Sequence, residues 1–249
     1  MKNFRLVLLD HAKLQLDKPE TKKILADMII AKQKNFERTD ENYITLDKHD
    51  MLGTHILLYD TSDLFNPKLI FTVRVTYQAR AEISKVKTPM QELYPDLNEP
   101  CKAALDKFLQ RYPLFVECNS LFAEPGYSQG RTGIHVTDVG FAAACAYMLS
   151  LGYNYFMACP NAKFKTQKFV EKFGSFSQDY KFVHPKIPDP HMLVLLENFN
   201  LSHIRDVYQK HQALLDNMLW VTASGLQPDS FGDFIRSAET VLPENLQAS

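Results

Sequence analysis

The stretch 114–159 limits the fold of this 249-residue chain more than any other part. Residues 114–123 (LFVECNSLFA) read as a strand with Phe115, Glu117, Asn119 and Leu121 on one face. The chain then runs through EPGYSQGRTG into an apolar helix over 134–151, closed by Gly152. A further strand over 153–159 ends at Pro160-Asn161. Gly140, Ala142, Ala143, Ala144 and Ala146 let the helix lie close against a sheet. Strand, glycine-bearing turn, buried helix and strand make a βαβ unit whose two strands run parallel.

The remaining pattern is mixed. Residues 19–36 read as a helix, with Pro19 and Glu20 in its first turn and Ile24, Leu25, Met28 and Ala31 on one face. Residues 53–60 and 68–77 read as an antiparallel hairpin across the turn DTSDLFNP. In 68–77, Phe71, Val73, Val75 and Tyr77 share one face, and Ile70, Thr72, Arg74 and Thr76 the other. Within 80–113, which carries Pro89, Pro95, Pro100 and Pro113, one helix is expected at 100–111. An amphipathic helix over 162–172 ends at Gly174, a strand covers 191–199, and two helices cover 201–222 and 227–241. The expected class is α/β: a mostly antiparallel mixed sheet with a central βαβ unit and a C-terminal helical extension. Residues 1–200 form the main domain and 201–249 the extension packed on it.

Composition narrows the function. With 28 Lys+Arg against 29 Asp+Glu, the net charge of −1 argues against a general nucleic-acid binder. Hydrophobic residues at 45% suit a globular core and not a disordered chain. No apolar stretch approaches the ~18 residues of a membrane span. The apolar run from Leu6 to Leu9 stops at Asp10, too short for a signal-peptide core, so the expected compartment is the cytoplasm. The four cysteines, Cys101, Cys118, Cys145 and Cys159, show no CxxC spacing and are expected as reduced, mostly buried thiols. The eight histidines form no ligand set, and no metal is expected.

Three features carry chemistry. The turn 125–133 leads a strand into a helix N-terminus, where free amides and the helix dipole suit a phosphate; otherwise it is a solvated loop with a surface Arg131. Glu117, inside an apolar strand, is either a cleft carboxylate able to act as a general base or hold a substrate cation, or else a solvent-facing residue on an edge strand or a structural partner for Arg74. Arg74 raises the same alternative: a paired cation beside Glu117 or a plain surface residue.

The order of these parts resembles the GNAT acyltransferase superfamily, and within it the acyl-homoserine-lactone (autoinducer) synthases and related N-acyl amino acid synthases. KQKNFERTDEN at 32–42 is similar to their "Arg-x-x-x-Phe…Trp" segment, with Lys32 in place of Arg and Phe36 in register. LDKHDMLGTHILLYD at 46–60 resembles the acidic "E-x-D-x-x-D" segment and brings in Asp47 and Asp50. Residues 68–77 resemble the strand carrying an Arg, here Arg74, followed by a Pro-bearing stretch at Pro89. VECNSL at 116–121 resembles "W-E-x-S-R-F", with Glu117 matched and Asn119-Ser120 where the second Arg would stand. Asn161 and the stretch 169–174 resemble the superfamily's "Asn…fYeklGF" helix, with Phe169 at the Tyr.

The resemblance implies a sheet split into a V that takes the pantetheine arm of acyl-CoA or acyl-carrier protein, with a small-molecule amine as acceptor and no metal. It implies Glu117, Arg74 and Asn119 as the catalytic group. Backbone amides at Leu121 and Phe122, the turn Gln129, Gly130, Arg131, Thr132 and Gly133, and Asn161 would hold the carrier. Lys32, Phe36, Asp47 and Asp50 would hold the acceptor. An acetyl-CoA-dependent N-acetyltransferase and a non-catalytic binding module of the same fold remain the alternatives.

Overall fold

The computed structural model describes residues 3–36, 46–127, 133–185 and 187–223. Its centre is an eight-stranded mixed sheet with a helix layer on each face. The short run at the N-terminus is itself a strand, β1 (Phe4–Asp10), which sequence inspection took only as an apolar patch. It was hard to read because both its faces are buried: Leu6 and Leu8 face one core and Val7 and Leu9 the other. After α1 (Pro19–Phe36) and the short α2 (Lys48–Leu52), β2 (Thr54–Asp60) and β3 (Lys68–Tyr77) form the expected hairpin, and β1 pairs antiparallel with β2.

The Pro-bearing segment then folds as α3 (Gln78–Ile83), α4 (Pro89–Leu93) and α5 (Glu99–Arg111). β4 (Val116–Ala123), α6 (Val136–Ser150) and β5 (Tyr155–Ala158) are the βαβ unit, with β4 and β5 parallel. Next come α7 (Thr166–Val170), β6 (Gly174–Ser175), and a separate two-stranded hairpin of β7 (Lys181–His184) and β8 (Ile187–Met192). β9 (Val194–Phe199), α8 (Leu201–Asp216) and β10 (Leu219–Val221) complete the described chain. The sheet order is β10-β1-β2-β3-β4-β5-β9-β6.

Three expectations change. The helix expected at 162–172 is broken at Lys165, whose φ of 54° is left-handed, into a 3-10 turn over 162–164 and the five-residue α7. The strand expected at 191–199 divides between β8 and β9, which belong to different sheets. The helix expected to 222 stops at Asp216, and 219–221 instead pair parallel with β1. The helix expected at 227–241 lies outside the described residues.

α6 is apolar all round because it is buried all round, lying on β2 and β3 beneath α8. A Cβ on Gly140 would stand 2.1 Å from Cε1 of Phe71, so only glycine allows this approach. Ile204, Val207 and Leu215 of α8 close the same core. On the opposite face, α1 covers Val7, Leu9, Leu57, Tyr59 and Leu69, while α5 packs with Phe115 and Met157. Among the described residues no helix is long and apolar enough to cross a membrane.

Candidate active site

The site is built on a defect in β4. Thr72 pairs with Phe122 and Arg74 with Asn119, so β4 carries one residue more than β3 across this interval. Ser120, with φ 50°, takes up the extra residue as a bulge. The bulge reverses the alternation beyond it. Simple period-two reading put Leu121 with Glu117 and Asn119, and Phe122 on the other face. In fact Leu121 packs into the α6 core, and Phe122 into the α1 core. Side chains before and after Ser120 thus exchange faces within one strand.

β4 and β5 pair only at Glu117 and Met157. Beyond that point they part, and among the described residues no further pair joins β4 to β5. A cavity of about 350 Å³ occupies the gap. Glu117 and Asn119 line it from the α1 face, and Val73, Leu121, Phe141 and Phe156 from the α6 face. It therefore passes through the sheet, which only separated strands allow.

Glu117 is 3% exposed. The amide of Met90, in the first turn of α4, donates to both its oxygens at 3.0 and 3.2 Å. α4 is fixed there by a capping box: Thr88 accepts from the Gln91 amide, and Gln91 answers to the Thr88 amide. Burial pushes the Glu117 carboxyl up to about 7, although Thr88, the Met90 amide and Arg74 all oppose the rise. Burial also pushes the Cys118 and Cys159 thiols up, so neither cavity cysteine is a ready nucleophile. All four cysteines are free, and three are buried.

Beside Glu117, on the α1 face, lies an ion network in which Arg74, Lys32 and Asp50 are 4%, 1% and 0% exposed. Arg74 Nη1 donates to Asp47 Oδ1 and Asp50 Oδ1, both at 2.8 Å, and its Nε donates to Asn119 Oδ1 at 2.6 Å. Lys32 Nζ donates to Asp50 Oδ1. Asp47 caps α2, accepting from the amides of His49 and Asp50, while its own amide donates to Asp50 Oδ2 at 2.9 Å. Burial works against an ionised Asp50, but Arg74 and Lys32 outweigh it and hold the carboxyl well below the ordinary range. Burial lowers Lys32, with Asp50 opposing. His55, opposite Arg74 in the ladder, is pushed down to about 4 by burial and stays neutral.

Arg74 is thus a paired cation, and its acids are Asp47 and Asp50. It does not bond Glu117, because the register sets Glu117 opposite Thr76. Asn119 bridges the two regions, bonded to Arg74 and lining the cavity. Asn161 lines the far wall and accepts from the Lys163 amide. Phe36 is the last residue of α1. Of the turn, Gly133 is described, with φ 80°, while Gln129, Gly130, Arg131 and Thr132 lie outside the described residues. Sequence reading missed the Met90 amide as the carboxylate's anchor and left His184 and His191 outside the site. In fact they face each other from β7 and β8 and line the cavity. No local spacing signals the Met90 contact or the seating of this hairpin at the cavity, since both arise between segments separated in sequence. Among the described residues no group of three or more His, Cys, Asp or Glu is arranged to hold a metal.

No protein-family profile matches the chain, and no curated protein matches it by sequence. Solved structures do match. A CoA-dependent acyl-homoserine lactone synthase, BjaI, solved with SAM and isopentyl-CoA, is 12% identical with a TM-score of 0.56, covering 96% of this chain and 100% of its own. The same enzyme with MTA is 11% identical at 0.55, with the same coverage. FeeM, an N-acyl amino acid synthase from uncultured soil microbes, is 12% identical at 0.47, covering 79% of this chain and 93% of its own. The first two match over the whole fold: the chain has the GNAT-like acyltransferase fold seen in the acyl-homoserine-lactone synthases.

Proposed function

We propose that the chain transfers an acyl group from a thioester of coenzyme A or an acyl-carrier protein to the amine of a small molecule, an amino acid or a derivative of one. The observation that carries this reading is Glu117, a buried carboxyl lining the gap between β4 and β5, which burial pushes up to about 7. Such a group both takes and yields a proton near neutrality. The Met90 amide keeps it aimed. As an amine attacks the thioester carbonyl, Glu117 accepts the proton the nitrogen must lose, directly or through one water. The backbone amides at Leu121 and Phe122, on β4 past the bulge, are assigned to the carbonyl oxygen as it gains charge.

The carrier's arm is assigned to the α6 face and the acceptor to the α1 face. Asn161, Gly133 and the turn residues Gln129, Gly130, Arg131 and Thr132 are assigned to the carrier, its phosphates meeting the start of α6. The likeness to a CoA-dependent synthase supports a CoA thioester as the first donor to test. Asp47, whose side chain keeps 34% of its surface open, is the acid available to an acceptor ammonium. Lys32 and Asp50 hold Arg74 in place behind it, and Phe36 ends the helix that brings Lys32 in.

The test is a mass-spectrometric comparison of cells overexpressing the wild type or Glu117→Gln. New N-acyl amines in the first and none in the second are expected. A folded wild type that yields none overturns the reading.

A further inference from the structure

Five titratable side chains line the cavity: Glu117, Cys118, Cys159, His184 and His191. The thiols are pushed up by burial, and Glu117 is anchored to Met90. His191 is the group whose chemistry the fold leaves unused. It is 4% exposed. Its Nδ1 lies 2.9 Å from the carbonyl oxygen of Asp189. A carbonyl oxygen only accepts, so Nδ1 carries the hydrogen and Nε2 is the nitrogen left to exchange a proton. Among the described residues Nε2 has no hydrogen-bond partner. The ring is fixed between Phe182 and His184, at 5.8 and 5.1 Å between centroids.

The hairpin that carries His191 is pinned to the chain just after β5. Asn161 and His191 form a β-bridge, and Asn161 Nδ2 donates to Asp189 Oδ2 at 3.2 Å. Lys163 reaches the same oxygen at 3.5 Å. His191 thus stands on the β5 side of the gap and Glu117 on the β4 side. Burial lowers the His191 imidazole, which is neutral at rest and a stronger acid once protonated.

We propose that His191 delivers the proton to the thiolate that departs on acyl transfer, across the gap from Glu117. This rests on the acyltransferase reading above. The amine nitrogen bonds to the thioester carbon, and its surplus proton passes to the Glu117 carboxylate. That proton moves on from Glu117 through water in the cavity to Nε2 of the neutral His191. The C–S bond then breaks, and the sulfur takes the proton from Nε2, so both groups end as they began. The sum is thioester plus amine giving amide plus thiol.

The test varies the leaving group. Two butanoyl thioesters, of N-acetylcysteamine and of thiophenol, are offered to wild type and His191→Gln with pooled amino acids as acceptors, and N-butanoyl products are counted. The alkyl thiolate needs a proton to leave; the aryl thiolate does not. His191→Gln should lose about 100-fold or more on the alkyl ester, the usual size of general acid catalysis, and little on the aryl ester. Retained aryl-ester turnover also shows that the variant is folded. Equal losses on both esters, or no loss, overturn the proposal and leave the acyltransferase reading standing. Transfer from neither ester by the wild type overturns both. Wild type alone gives a second reading. Across thioesters of graded thiol acidity its rate should vary weakly, and a steep dependence overturns the proposal without any variant.

Discussion

Asp50→Asn removes the central anion of the buried network while keeping its shape. In the wild type, Asp50 Oδ1 accepts from both Lys32 and Arg74, and Oδ2 accepts from the Asp47 amide. Without the charge, Lys32 has no carboxylate bonded to it at 1% exposure, and Arg74 retains Asp47 as its one bonded carboxylate, beside Asn119. Breaking a buried pair by removing one partner costs about 3–5 kcal/mol. With a urea m-value of ~3 kcal/mol/M for a chain this size, the midpoint should fall by roughly 1–1.7 M at pH 7. The loss has a definite pH sign. Asp50 sits below its unfolded value, so its contribution is present above the ordinary carboxylate range and disappears as pH falls through the depressed value. The gap between variant and wild type should therefore close in acid. Adding Lys32→Met removes the stranded cation, and the double variant should be more stable than Asp50→Asn alone. A midpoint shift equivalent to less than about 1 kcal/mol, or strictly additive losses, would refute the reasoning.

Glu117 titrates in the opposite sense: burial raises it to about 7, so wild-type stability is full below the ordinary carboxylate range and is lost as pH rises through 7. Glu117→Gln should gain on the wild type by up to ~1.4 kcal/mol per pH unit across that window in thermal melts, while amine-dependent turnover falls about 100-fold or more. A parallel pair of stability curves would remove the buried-carboxyl argument. Gly140→Ala sets a methyl against Phe71 and should cost about 1–3 kcal/mol by denaturant unfolding; a neutral result would mean that the approach of α6 to β3 is not tight. Acyl-CoA at ~100 times its dissociation constant should add about 2.7 kcal/mol, a melting rise of roughly 5–10 °C, and no rise with any acyl-CoA would count against the carrier assignment.

The parts of the fold that were legible in the sequence are those where one local signal dominates. β3 alternates cleanly, and α6 is a long apolar helix rich in small residues, so the hairpin and the βαβ unit could be read directly. β1 could not, because a strand buried on both faces has no alternation to show. β10 is three residues long and exists through its partner β1, which no local pattern encodes. The site was legible as residue types and not as geometry. Glu117 and Arg74 stood out as charges in apolar strands, but their partners come from α4 and α2, short helices hidden among prolines and acids. The bulge at Ser120 was the least readable feature. A serine at positive φ leaves no mark in composition, yet it decides which of Leu121 and Phe122 faces α6.

A structure of the protein with a non-hydrolysable acyl-CoA analogue tests the central claim most directly. The account predicts the thioester carbonyl in the gap between β4 and β5, its oxygen toward the backbone of Leu121 and Phe122 and its carbon within one water of Glu117. An analogue bound elsewhere on the surface, with the gap closed or occupied by side chains, would contradict it.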